Sequence, residues 1–125
     1  MEYLITPLES TNWKINQNFL IESLKKQWLN IEVKTVTNPD DYYIIEWAIA
    51  LKENRGILEG ALHKDLQGIS LDGHIEDCAT FAVWFRSLVP ESQKLLFYDQ
   101  NFNHHQELTL NTIKTAIIEP FLALT

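Results

Sequence analysis

Apolar positions along the chain recur with two periods, and the changes between them mark its elements. Trp13, Phe19 or Leu20, Leu24 and Trp28 fall at helical spacing, with Lys14, Asn18, Glu22 and Lys25 between them. Thr11 or Asn12 stands where an N-cap belongs, so a helix is expected from about residue 11 to 29. Ile31–Val36 alternates in part, as a half-buried strand does, and Asn38-Pro39-Asp40-Asp41 has the composition of a turn. Tyr42–Leu51 then predicts a long strand. Tyr43, Ile45, Trp47, Ile49 and Leu51 share one face of it; Tyr42, Ile44, Glu46, Ala48 and Ala50 share the other. Both faces are largely apolar, which suits an interior strand.

Asn54-Arg55-Gly56 is expected to be a hairpin loop. It leads into an antiparallel partner, Ile57–His63, with Ile57, Glu59, Ala61 and His63 on one face and Leu58, Gly60 and Leu62 on the other. Gly68–Leu71 forms a short fourth strand, ended by Asp72-Gly73. Ile75, Cys78, Ala79, Ala82, Phe85 and Leu88 or Val89 draw a helical stripe closed by Pro90, with Asp72, Glu76 and Asp77 at the end where the helix dipole favours acids. Leu95–Tyr98 is a further strand and Asp99–Glu107 a polar loop. A last helix turns Ile113, Ala116 or Ile117, and Phe121 inward, and Pro120 should kink or end it. Met1–Pro7 is a short strand or an arm.

The order is α-β-β-β-β-α-β-α. It predicts an α+β two-layer sandwich with a mainly antiparallel sheet of four to five strands and three helices. At 125 residues the chain suits a single domain spanning residues 1–125, long enough to bury a core without staples. One cysteine excludes an internal disulfide. The absence of a leader pattern and of any apolar run near membrane length leads to the expectation of a soluble cytoplasmic protein. The 17 acids outnumber 10 bases, and Lys25-Lys26 is the only basic pair, so no basic face is available to displace counterions from nucleic acid or to hold anionic membranes. The acidity suits a basic partner or simple solubility.

No recognised catalytic motif is present. The histidines His63, His74, His104 and His105 form no metal-binding pattern, so neither metal nor cofactor is expected. Cys78 lies on the apolar stripe of its helix, which argues for packing over nucleophilic chemistry, although His74 precedes it by one turn. Gly68-Ile69-Ser70-Leu71-Asp72 lacks the second glycine of a nucleophile elbow, and the four glycines fit no phosphate loop. Glu46 and Glu59 lie on neighbouring strands and are placed to meet; Glu46 is alternatively an ion-pair partner for Arg86. Trp47, Trp84, Phe85, Tyr98 and Phe102 are candidates for core, pocket or interface.

Leu58-x-Gly60-x-Leu62, Ile69-x-Leu71-Asp72-Gly73, Ala79-x-Phe81-Ala82-x-Trp84-x-Arg86-x-Leu88-Val89-Pro90 and Phe97-Tyr98-Asp99 together resemble small uncharacterised bacterial α+β proteins. Some of these look like the immunity partners of polymorphic toxin systems. The resemblance spans residues 58–99 and implies a non-enzymatic protein that binds another protein; it transfers no catalytic residue.

The leading expectation is therefore a non-catalytic acidic protein-binding module, of the inhibitor or immunity type, acting as a monomer or weak homodimer. The alternative is a small-molecule-binding or enzymatic domain with a polar pocket near the Asp72–Pro90 helix. The candidate binding residues are His74, Asp77, Trp84, Arg86, Asp99 and His104. A third reading is assembly through a free sheet edge, the first or the last strand.

Overall fold

A computed structural model describes residues 2–52 and 56–122. Seven strands and three helices follow one another as β1 (Glu2–Pro7), α1 (Gln17–Gln27), β2 (Ile31–Thr35), β3 (Tyr43–Ala50), β4 (Ile57–His63), β5 (Ile69–Asp72), α2 (Ile75–Ser87), β6 (Leu95–Asp99), β7 (His105–Leu108) and α3 (Lys114–Leu122). The strands form one antiparallel sheet in the order β2-β3-β4-β5-β1-β6-β7. The α+β class, the antiparallel sheet and the three helices are as expected. The strand count and element order are not: seven strands replace four to five, and the order is β-α-β-β-β-β-α-β-β-α.

Two strands account for the difference. The segment read as a strand or an arm is β1, which lies inside the sheet between β5 and β6. Its alternation drives this placement: Tyr3 and Ile5 are buried toward the helices, while Leu4 and Thr6 face the other way. It therefore offers no edge for assembly; the edges are β2 and β7. The other added strand, β7, occupies the expected polar loop. Its pattern of exposed, intermediate, exposed and buried residues is that of an edge strand with one wet face.

Helix α1 starts later than expected. Asn16 caps it, its side chain accepting from the Phe19 amide at 3.0 Å. Thr11 instead accepts from the Trp13 amide at 3.1 Å. Residues 11–15 are held against the β4–β5 turn, where the Gln67 side-chain amide donates to Thr11 O and Trp13 O and the Ile15 amide donates to Leu66 O. Leu20 and Leu24 face inward and leave Phe19 half exposed.

All three helices cover one face of the sheet. Phe81 of α2 stacks on Trp47 of β3 and on Trp28 beyond α1, and Phe121 of α3 meets Tyr3 and Phe97 edge-on. The indole of Trp47 lies over Gly60 on the neighbouring strand, where an added Cβ would come within 2.3 Å of it. No side chain but hydrogen fits there. Pro120 lies within α3, with Phe121 after it still packed in the core. Of the expected loop at Asn54-Arg55-Gly56, Asn54 and Arg55 lie outside the described residues; Gly56 has φ +95°, a conformation glycine adopts freely. The Asn38–Asp41 turn forms as expected, the Asp41 amide donating to Asn38 O.

Candidate functional site

With the helices on one side, the opposite face of the sheet is open. Alternation decides which side chains reach it: Glu32 and Lys34 from β2, Glu46 and Ala48 from β3, Glu59, Ala61 and His63 from β4, Ser70 and Asp72 from β5, Glu2, Leu4 and Thr6 from β1, Leu96 and Tyr98 from β6, His105 and Glu107 from β7. A bulge between Tyr43 and Ile45 moves Tyr43 onto this face, away from the Ile45–Trp47–Ile49 side where strict alternation puts it.

The register aligns the acids. Glu32 pairs with Ala48, Ala48 with Glu59, Glu59 with Asp72, and Asp72 with Glu2. These positions form one row across five adjacent strands. Strands lie about 4.8 Å apart, so the row runs for about 19 Å. Glu46, diagonal to Glu59, joins Glu2, Glu59 and Asp72 around a shallow concavity of about 160 Å³ floored by Ala61 and Ser70. Glu46 and Glu59 thus share this concavity, whereas the alternative pairing of Glu46 with Arg86 does not form: the two lie on opposite sides of the sheet. Like charges placed directly opposite each other across strands oppose folding by several tenths of a kcal/mol per pair, roughly. Among the described residues no three His, Cys, Asp or Glu side chains are arranged to hold a metal ion. The carboxylates are spread along a line instead of converging on a point, which fits an extended cationic ligand better than a single ion.

Beside the row lies a pair of residues that sequence reasoning kept apart. His63 Nε2 and Ser70 Oγ share a hydrogen bond of 2.8 Å, both residues being buried. Burial lowers the imidazole pKa, with Asp65 acting in the opposite sense. The far side of the ring lies against Gly68, where a Cβ would come within 2.3 Å of Nδ1. Asp65 Oδ1 accepts from the Gln67 amide. The signal for this pair was the register: Ser70 and His63 are separated by a tight turn that returns β5 alongside β4.

The six residues expected to bind lie away from the open face, and of them Asp99 and His104 are brought into direct contact. His74 is exposed at the N-cap of α2 and makes no capping bond through its side chain. Asp77 is buried in the first turn of that helix. Trp84 packs on Trp28 and Phe81, with centroids 4.7 and 5.3 Å away. Arg86 is buried nine residues beyond Asp77, about 13 Å along the helix. It donates to Leu108 O at 3.1 Å, Val89 O at 2.8 Å and Glu91 O at 3.3 Å. Asp99 is also buried; it accepts from the His104 amide and the Asn103 side chain and so closes the β6–β7 turn. His104 meets Phe121 edge-on. Cys78 is fully buried and its thiol is pushed up to about 12, by burial first and then by Asp77, which suits packing and opposes thiolate chemistry.

No family model, curated protein or solved structure matches the chain. No helix among the described residues is long and apolar enough to cross a membrane.

Proposed function

We propose that the chain is a protein-binding module that recognises a basic partner through the open face of its sheet, as an inhibitor or immunity-type factor does. The observation that carries this reading is the acidic row Glu32–Glu59–Asp72–Glu2, set on a face that no helix covers. The net charge of −7 adds long-range attraction for a cationic surface. Aromatic side chains border the acids: Tyr43 lines their concavity, and toward β7 Phe102 stacks on His105 and meets Tyr98 at a tilt. Phe102 is half exposed and held at φ +55°, a left-handed conformation that carries strain for a non-glycine residue.

The row also favours one shape of ligand. Successive strands are separated by about 4.8 Å, close to the 5.4 Å pitch of a helix. A helix laid across the strands with Lys or Arg once per turn therefore brings a base to each strand in succession. The test uses a fluorescent peptide of that pattern, with a sequence-scrambled peptide of equal charge as control. The intact chain binds the patterned peptide more tightly than the scrambled one. A Glu32→Lys/Glu59→Lys variant loses about tenfold in affinity, four exposed charge interactions of a few tenths of a kcal/mol each. Equal binding by the variant, or no preference for the patterned peptide, sinks this reading.

A further inference from the structure

Next to the acidic row, the open face carries a second and larger cleft of about 350 Å³. Its walls include the rings of Tyr42 and Tyr98, its floor includes His63, and Glu9 and Asp65 stand on its lining. Contacts hold the two tyrosines. Thr6 Oγ1 donates to the Tyr98 hydroxyl at 3.3 Å. Tyr42 lies over His63, with centroids 4.9 Å apart, and against Tyr43 at 5.4 Å. The phenol of Tyr42 is raised by burial, then by Asp65, Tyr43 and Tyr98.

No Lys or Arg lines this cleft. His63, the one base on its floor, is buried and favours its neutral form. Two tyrosines and two carboxylates give the lining an electron-rich, acidic character, with the Lys14 ammonium outside it donating to Asp65 O at 3.4 Å. A planar guanidinium meets that environment better than an ammonium, because it stacks on aromatic faces while its N–H groups fork to a carboxylate. The cleft adjoins the acidic concavity through the His63–Ser70 hydrogen bond, so a ligand on the row has a side chain within reach of it.

We infer that the Tyr42–Tyr98 cleft is an arginine pocket, receiving one guanidinium side chain of the basic partner between its rings, with Glu9 and Asp65 as hydrogen-bond acceptors. This assignment rests on the proposed docking role of the face.

The experiment is a two-dimensional amide NMR titration of the intact chain with N-acetyl-arginine methylamide. N-acetyl-citrulline methylamide, of the same shape without the charge, is the control. Saturable shifts at Thr6, Gly68 and Tyr98 with the arginine probe, absent with citrulline, are expected. Tyr42→Ala and Asp65→Asn, both surface changes, each weaken the arginine probe by about three- to fivefold, the contribution of one cation–π or charged contact at a partly exposed site. Equal shifts with both probes, shifts confined to Glu59 and Asp72, or variants that bind like the parent overturn the pocket. The two readings fail separately. Patterned-peptide binding that is lost in Glu32→Lys/Glu59→Lys but untouched in Tyr42→Ala and Asp65→Asn removes the pocket and leaves the docking face. Arginine-probe binding at the cleft without patterned-peptide binding removes the docking face.

Discussion

Replacing Arg86 with methionine separates a structural role from a binding role. The guanidinium is buried at the C-terminal end of α2, where it holds Val89 O and Leu108 O with well-formed bonds and reaches Glu91 O and Pro90 O at longer range. It therefore joins three pieces of chain: the helix end, the loop toward β6, and the edge strand β7. Methionine fills much of the volume but donates nothing, so two buried carbonyls lose their partner. Hydrogen bonds from a charged donor contribute about 1.5–3 kcal/mol each, and two of them give an expected loss of about 3–6 kcal/mol. That is a large fraction of the roughly 5–15 kcal/mol that holds a domain together. With a urea dependence of about 1.5 kcal/mol per molar, the unfolding midpoint falls by about 2 M or more. Equilibrium urea unfolding followed by tryptophan fluorescence measures it. Affinity for the basic peptide, measured on the fraction that remains folded, should not change, because Arg86 lies on the opposite side of the sheet from the docking face. A loss below about 1 kcal/mol refutes the clamp. A folded variant that no longer binds the peptide refutes the placement of the interface.

Two further substitutions and titrations follow from packing and burial. Gly60→Ala drives a methyl group into the Trp47 indole and should destabilise by about 1–3 kcal/mol in thermal unfolding; stability equal to the parent would mean that the indole has room to move. His63 has a folded pKa below its ordinary 6.5, so the unfolded chain takes up a proton that the folded one resists. The stability from neutral His63 is complete above pH 6.5 and is lost as the pH falls through the lowered folded value. A His63→Gln variant should therefore show a flatter melting temperature between pH 5 and 7, within about the histidine titration range; parallel profiles for the two proteins would exclude His63 as the source.

The parts of the fold legible in the sequence were those set by local periodicity. The Cys78–Ala79–Ala82–Phe85 stripe is buried as read, and β4 divides its two faces as read. What escaped was decided at a distance. The strand β1 is six residues long, and its identity lies in pairing with β5 and β6, far along the chain. His105–Leu108 reads as a loop because an edge strand with wet side chains carries little hydrophobic signal. Thr11 was a plausible cap, but the Gln67 and Leu66 contacts hold that segment extended and leave the task to Asn16. Tyr43 changed faces because a bulge breaks the two-residue period, and periodicity alone does not foresee bulges. The candidate site was invisible for a related reason. Alternation tells which residues of one strand share a face, whereas the alignment of Glu59, Asp72 and Glu2 depends on strand order. Arg86, as an isolated cation in an acidic chain, suggested a ligand contact; its partners are backbone carbonyls, which no side-chain pattern announces.

The position of β1 has a consequence for how the molecule comes into being. Thr6 and Tyr98 are 92 residues apart in sequence and neighbours in space. The β2–β5 meander and the β6–β7 hairpin touch within the sheet only through β1, so neither can complete a continuous sheet without it. During synthesis, β1 must remain unpaired on one side until β6 has been made. A chain that must close so long a loop before its sheet is whole folds slowly. Its docking face, which needs β5 and β1 side by side to align Asp72 with Glu2, comes into existence only with that closure.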